Sequence, residues 1–315
     1  MTTPKIVCVV GPTASGKTKM GVALAKALNG EVVSVDSMQI YRGMTVGTAA
    51  PTAEEMEGVL HHMIAVADPC ENWSVARFVE TADACVQDIL RRGKLPVLVG
   101  GTGLYLDALV RGNSFAEGCA GTEVRETLQK RMAQEGAAVL LEELRAIDPE
   151  AAAKLHLKDE KRILRALEVW QETGKTITQH NRETQAVPPR YEAVYIGLDF
   201  ENRDDLRARI DRRVDIMVEN GLLQEVRDLL SSGIPRTATA LQAIGYKQFL
   251  AAEEGCATVE EAVEEVKLRS RQYAKRQLTW LRRNEAIHWI RWEKEPDFQS
   301  ALQKATEILT ALGLS

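Results

Sequence analysis

The first apolar run, residues 6–10 (IVCVV), is β-branched and is stopped by Gly11, which predicts a buried parallel strand. Similar runs at 31–36 (EVVSVD) and at 95–99 predict a second and a third strand. Between them the period lengthens to that of a helix, over about 17–28, 52–59 and 74–92. The last of these has Val75, Phe78, Val79, Ala82, Val86 and Ile89 on one face. Strand alternating with helix is the pattern of a parallel α/β sheet. From about 113 the character changes. Residues 113–121 read as loop, 122–184 as helical without a strand, and 185–190, with Pro188 and Pro189, as a linker. Strand pattern returns at 192–198 and 286–292, and helical pattern fills 204–231, 240–254, 259–283 and 298–312. The expected fold is α/β, a P-loop NTPase-like parallel sheet flanked by helices, with a small all-helical insertion. Its divisions are 1–112 (first part of the core), 113–187 (insertion) and 188–315 (return to the core).

The 315 residues are 45% hydrophobic, 27% charged and 5% aromatic, the proportions of a globular chain rather than a disordered or fibrous one. No apolar run approaches bilayer-spanning length, so an integral membrane protein is not expected, and 6–10 is too short for a signal peptide. The cysteines (Cys8, Cys70, Cys85, Cys119, Cys256) are odd in number and form no CxxC pair, which points to a reducing compartment, the cytoplasm. The histidines show no HExxH spacing, and the neighbours His61 and His62 would face opposite ways. Net charge is −5, but residues 267–283 (KLRSRQYAKRQLTWLRR) hold seven basic groups and no acid, leaving −12 for the rest. One concentrated basic helix on an acidic chain suggests a local polyanion site.

Gly11-Pro12-Thr13-Ala14-Ser15-Gly16-Lys17-Thr18 fits GxxxxGK[ST] at every fixed position and lies between a predicted strand and a predicted helix. Its backbone N–H groups and the helix N-terminus would cradle phosphate, Lys17 would meet the terminal phosphate, and the Thr18 hydroxyl could hold Mg²⁺. A polyphosphate or pyrophosphate group is therefore expected; the motif does not say which. A nucleotide hydrolase would also end a strand in a magnesium-binding Asp, but the strand at 95–99 ends in Gly100-Gly101. Asp36 ends the strand at 31–36 instead. Carboxyl ends of parallel strands meet at the ligand crevice, so Asp36 should lie near the cradle, to bind metal or to take a proton.

Taken together the motifs resemble the tRNA dimethylallyltransferases, also called tRNA isopentenyltransferases. The resemblance runs through GPTASGKT (11–18), DSMQIYRGM (36–44), HHM (61–63), VGGTGLY (99–105), KRILRALEVW (161–170), QAIGYKQ (242–248) and RQYAKRQLTWLRR (271–283). It implies that the cradle holds the pyrophosphate of dimethylallyl diphosphate with Mg²⁺, and that the acceptor is N6 of adenosine 37 in the anticodon stem-loop of a tRNA. It further implies that Arg213 joins Lys17 on the leaving group, and that Asp36 takes the N6 proton beside Thr102. Ser37, Met38 and Gln39 would meet the adenine, which must leave its stack. Segments 161–165 (Lys161, Arg162, Ile163, Leu164, Arg165) and 242–247 (Gln242, Ala243, Ile244, Gly245, Tyr246, Lys247), with Arg125, would contact tRNA. Lys161 stands where the family commonly has Gln, which favours a phosphate contact there.

On a helical wheel Arg269, Arg271, Lys275, Arg276, Arg282 and Arg283 span about 160° of one side, opposite Val263, Val266, Ala274, Leu278 and Leu281. That face could track phosphates, with Arg269, Arg276 and Arg283 touching the tRNA. In the insertion, Lys158, Lys161, Arg162 and Arg165 cluster opposite Ile163, Ala166, Leu167 and Trp170. A monomer is expected. Two other readings stay open from the residues alone: a nucleoside or small-molecule kinase with Asp36 as base, and a nucleotide-gated RNA-binding protein without transfer chemistry.

Overall fold

The computed structural model describes residues 3–112 and 123–314. The loop expected at 113–121, Cys119 and the first residue of the helical stretch expected from 122 lie outside the described residues. The chain divides into two compact units, Met1–Gly112 with Arg190–Ser315, and Asn113–Pro189. The larger unit begins with β1 (Lys5–Val10), α1 (Lys17–Ala27), β2 (Gly30–Val35), α2 (Ala53–Met56), β3 (His61–His62), α3 (Val75–Arg91), β4 (Leu95–Gly100) and α4 (Gly103–Arg111). The smaller unit contributes α5 (Glu123–Glu135), α6 (Ala137–Ile147), α7 (Pro149–Ala152), α8 (Glu160–Thr173) and α9 (Ile177–Ala186). The larger then resumes with β5 (Glu192–Phe200), α10 (Arg203–Glu219), α11 (Leu222–Ser231), α12 (Tyr246–Glu253), α13 (Val259–Leu281), β6 (Ile287–Trp292) and α14 (Phe298–Ala311).

Among the described residues the six strands are all parallel, in the order β3-β2-β4-β1-β5-β6. Ile6 to Val10 of β1 are wholly buried, which explains why the run is continuously apolar rather than alternating. Val7, Val9, Val97, Ile196 and Leu198 pack in one cluster with Met20 and Leu24 of α1, Leu278 of α13 and Leu309 of α14. Register fixes what stands at the sheet's carboxyl edge. Val10 pairs with Gly100 on one side and Gly197 on the other, and Gly100 pairs with Val35. The residues that follow (Gly11, Gly101 with Thr102, and Asp36) therefore leave three neighbouring strands at one level.

Several expected helices are shorter. The helix over 52–59 is only the four-residue α2, closed by Glu57 in a left-handed conformation, and the chain then adds the two-residue β3. Residues 204–231 break at Gly221 (φ 91°) into α10 and α11. The stretch 240–254 is a 3-10 turn, Ala240–Gln242, and then α12, separated at Gly245 (φ 99°). The described residues of the helical stretch from 122 form five helices around Leu140, Leu144, Ile163 and Leu167. Trp170, expected on the apolar side of α8, is 37% exposed.

Candidate active site

The loop from Gly11 to Gly16 turns between β1 and α1, with Ala14 (φ 64°) and Gly16 (φ 91°) in left-handed conformations that gather backbone N–H groups into a nest. Gly16 is also required by space, since a Cβ there would sit 2.7 Å from the Phe298 ring. The loop is held from several sides. Arg209 Nε donates to Ala14 O at 3.3 Å, Trp292 Nε1 to Ser15 O at 2.9 Å, and Lys17 Nζ to Pro12 O at 2.7 Å. The backbone N–H of Thr13 donates to Gln277 Oε1 at 2.8 Å.

A cavity of about 340 Å³ opens at this edge of the sheet. Thr13, Lys17, Thr18, Asp36, Gly101 and Arg213 line it, with Ser37, Met38 and Gln39, and with Tyr273, Arg276 and Gln277 of α13. The structure thus brings the phosphate-loop lysine, the strand-end carboxylate and the α10 arginine into one cavity. Arg213 is not the surface charge its setting in DLRARIDRRVD suggests: its Nε is buried and has no hydrogen-bond partner among the described residues. Burial, and then the neighbouring Arg213, lower the Lys17 ammonium to about 7, against a smaller opposing pull from Asp36. Burial also lowers the Arg213 guanidinium, with Asp36 as the main counterweight. Two crowded cations in a buried pocket favour an anionic ligand.

Asp36 has two tasks. Its Oδ1 accepts from the N–H of Met38 at 2.8 Å and of Gln39 at 3.3 Å, fixing the turn after β2, while the residue lines the cavity. Thr102 occupies the N-cap position of α4 but makes no capping bond, and its buried Oγ1 has no partner within hydrogen-bonding geometry among the described residues. Its role is therefore not that of a cap. Burial and then the Asp36 charge raise the Tyr273 phenol, with the Thr102 hydroxyl as a smaller opposing influence. The Gln39 amide is held: its Oε1 accepts from Ser34 Oγ at 2.9 Å and its Nε2 donates to Thr48 O and Ala49 O at 3.3 Å.

Of 242–247, Gln242, Ala243 and Ile244 line the cavity, whereas Tyr246 is buried and donates to Glu225 Oε1 at 2.5 Å. Gly245 is buried and Lys247 exposed. On α13 and in the two residues after it, Arg282 and Arg283, the basic side chains divide. Lys267 pairs with Asp215 at 2.8 Å and Arg271 with Asp211 at 2.6 Å, both acids of α10. Arg269 pairs with Glu265 and Arg282 with Asp199. Lys275, Arg276 and Arg283 form no ion pair among the described residues; Arg276 lies over Tyr273 and Arg283 over Trp280. The uniform basic face read from the sequence is thus partly a seam to α10, because Asp211 and Asp215 project toward it.

Within the smaller unit, Lys161 and Arg162 are exposed, Leu164 is half-buried, and Ile163 is wholly buried in that unit's core. Arg125 and Arg165 reach the buried Glu168 at 3.3 and 2.9 Å. Sequence reasoning missed Tyr273, Gln277, Trp292, Glu225 and Glu168. A signal existed for Gln277: it is the one polar residue interrupting the apolar stripe of Ala274, Leu278 and Leu281.

Two family models match the chain, that of the IPP transferases over residues 39–284 and that of the isopentenyl transferases over residues 4–66. The chain is 46% identical over 287 residues to a tRNA dimethylallyltransferase of Caldanaerobacter subterraneus, covering 91% of each. It is 48% identical to one of Halalkalibacterium halodurans, covering 91% of this chain and 90% of the relative. Among solved structures it is similar to a tRNA isopentenylpyrophosphate transferase from Bacillus halodurans, at 43% identity and a TM-score of 0.72, over 98% of this chain and 96% of that one. A eukaryotic dimethylallyltransferase, described as acting on tRNA, superimposes with a TM-score of 0.83 at 28% identity, over 98% of this chain and 79% of its own.

Proposed function

As this chain belongs to the IPP transferase family, we propose that it transfers the dimethylallyl group of dimethylallyl diphosphate to N6 of adenosine 37, beside the anticodon of a tRNA, releasing diphosphate. The observation that carries this reading is the strand register, which sets the phosphate loop, Asp36 and Thr102 at one level with Lys17 and Arg213 in the same cavity.

The chemistry follows from the charges. Adenine N6 is a poor nucleophile because its lone pair is delocalised into the ring. An allylic carbon–oxygen bond breaks readily once the departing diphosphate is stabilised, so the main task is electrostatic. The loop N–H groups, Lys17 and Arg213 take up that negative charge as the electron pair leaves with oxygen. Asp36 accepts the N6 proton as the carbon–nitrogen bond forms. Thr102, next in the chain to the cavity-lining Gly101, would hydrogen-bond the amine through its hydroxyl. Ser37, Met38 and Gln39 hold the flipped adenine, Gln39 setting the wall of its pocket.

Mg²⁺ fits this donor set. Among the described residues no group of three or more His, Cys, Asp or Glu side chains could cage a metal, but Thr18 lines the cavity beside Lys17. A hydroxyl together with substrate phosphates is a magnesium site rather than a protein cage. Bound there, the ion would neutralise charge on the departing diphosphate.

In the larger unit the tRNA contacts would be Lys275, Arg276 and Arg283 with the cavity rim at Gln242 to Ile244; in the insertion, 113–187, they would be Lys161, Arg162, Arg165 and Arg125. Arg269 belongs with them less directly than Arg276 and Arg283, since Glu265 already holds it. No described helix is long and apolar enough to cross a membrane, and tRNA modification by a monomer in the cytoplasm accords with the rest. Incubation with dimethylallyl diphosphate, Mg²⁺ and unmodified tRNA, followed by mass analysis of digested nucleosides, tests the proposal. The expected product is N6-(dimethylallyl)adenosine; phosphate transfer from ATP with no prenylated nucleoside would make the protein a kinase.

A further inference from the structure

One side chain joins the two halves of this site. Gln277 is 7% exposed, on the buried stripe of α13. Its Oε1 accepts from the backbone N–H of Thr13, in the phosphate loop, at 2.8 Å. Its Nε2 donates to the backbone carbonyl of Gly101, the residue before Thr102, at 3.1 Å. A Cβ on Gly101 would lie 2.1 Å from Gln277 Nε2, so any side chain there would push this amide out of place. A primary amide is the side chain that fits, since it donates and accepts at once in a fixed plane. A carboxylate could meet Thr13 but would repel the Gly101 carbonyl; an apolar side chain would leave both groups buried and unpaired.

We propose that Gln277 is a positioning residue for the transfer, setting the distance between the diphosphate cradle and the Gly101–Thr102 turn on the acceptor side. This rests on the transfer reading above. Gln277 lines the cavity, yet both its polar atoms are committed to backbone, so it acts through Thr13 and Gly101 rather than on either substrate. Its neighbours on α13, Tyr273 and Arg276, line the same cavity. The helix that carries exposed cations toward a polyanion is thus pinned to both reacting sides by one amide.

The test compares wild type with Gln277→Met, of similar volume, and Gln277→Glu. Measured are kcat, KM for each substrate, equilibrium binding of inorganic pyrophosphate and of tRNA, and melting temperature. We expect kcat to fall about tenfold to a hundredfold in both variants, as for loss of a buried hydrogen-bonded pair, with tRNA binding retained. Gln277→Glu carries a second signature. Protonating the new carboxyl restores a donor toward Gly101, so its kcat relative to wild type should rise as pH falls from about 8 to about 6, burial having raised its pKa. Lys17, Asp36, Arg213, Tyr273 and Arg276 share the cavity and are present in the wild type as well; the ratio removes their shared contribution. A Gln277→Met enzyme within about twofold of wild type in kcat would overturn the proposal, as would a pH-independent ratio for a Gln277→Glu protein that melts like wild type. A wild-type enzyme that prenylates no tRNA would instead sink the transfer reading itself.

Discussion

The indole N–H of Trp292, the last residue of β6, donates to the carbonyl of Ser15 in the phosphate loop at 2.9 Å. Its ring lies 5.3 Å from that of Phe298, which in turn fills the space beside Gly16. Both aromatics lie beyond residue 284, where the IPP transferase match stops. The last strand and helix therefore brace the cradle from behind.

Trp292→Phe keeps the ring and removes the donor. Leaving a buried carbonyl unpaired should cost about 1–3 kcal/mol. Urea unfolding should show that loss, and KM for dimethylallyl diphosphate should rise more than KM for tRNA. Equal changes in both KM values would argue that the bond merely stabilises the fold.

Asp36→Asn keeps an oxygen to accept from the Met38 and Gln39 N–H groups, so the turn survives while the base is lost. We expect kcat to drop about 10²- to 10⁴-fold, the range of general-base catalysis. Thr102→Val removes a hydroxyl that makes no capping bond, so its melting temperature should hold while kcat falls. For both variants tRNA binding by filter retention should stay near wild type; lost affinity with normal turnover of the bound complex would contradict these roles.

Lys17 titrates near 7 because burial and Arg213 disfavour its charge. A bound diphosphate reverses that balance and raises its pKa. Below about pH 7 the ammonium is already charged and binding takes up no proton through it; above, binding must draw one in, and affinity falls by up to tenfold per pH unit. Calorimetry with inorganic pyrophosphate, in buffers of different ionisation enthalpy, should show proton uptake growing between about pH 6 and about pH 8. The same titration on Lys17→Arg, whose charge is permanent, isolates the lysine's share from that of pyrophosphate. Identical uptake by the two proteins would assign it elsewhere.

The cations of α13 and of the turn that follows it separate into two experimental classes. Replacing Arg276 and Arg283 by Ala should weaken tRNA binding and reduce the salt slope by roughly 0.7–0.9 for each phosphate no longer neutralised. Arg271→Ala, which strips Asp211 of its partner, should lower stability and leave that slope unchanged. A changed slope for Arg271→Ala with none for Arg276 and Arg283 would invert the assignment.

The strands were legible because both faces of the sheet are covered, so 6–10 and 95–99 had to be apolar throughout. Asp36 and the loop around Lys17 were legible because a phosphate cradle needs glycine and lysine at fixed spacing, and a parallel sheet sends its strand ends to one crevice. What stayed hidden depends on partners distant in sequence. His62, in the short β3 paired with β2, has its Nε2 2.8 Å from Glu31, in a cluster with Arg92 and Lys94. The Arg271–Asp211 pair spans 60 residues and the Gln277–Gly101 hydrogen bond 176. No local period reports such pairs, so α13 looked like a uniform basic face until its neighbours were placed.

Glu225 offers the most indirect test of how the adenine side is built. Its carboxylate accepts from the N–H groups of Thr45 and Val46 at 2.8 Å, from Thr45 Oγ1 and the Gly47 N–H at 3.0 Å, and from the Tyr246 hydroxyl at 2.5 Å. That loop continues into Thr48 and Ala49, whose carbonyls receive the Gln39 amide. A carboxylate accepting this many bonds cannot be replaced by an amide, which has only one accepting oxygen. Glu225→Gln should therefore loosen 45–49 and let Gln39 wander, although it lies outside the reacting groups. Hydrogen exchange at the amides of residues 45–47 should accelerate, and KM for tRNA should rise while binding of inorganic pyrophosphate is unchanged. Faster exchange with an unaltered KM for tRNA would show that the loop does not govern Gln39, and a lost pyrophosphate site would show that Glu225 supports the whole cavity rather than its adenine wall.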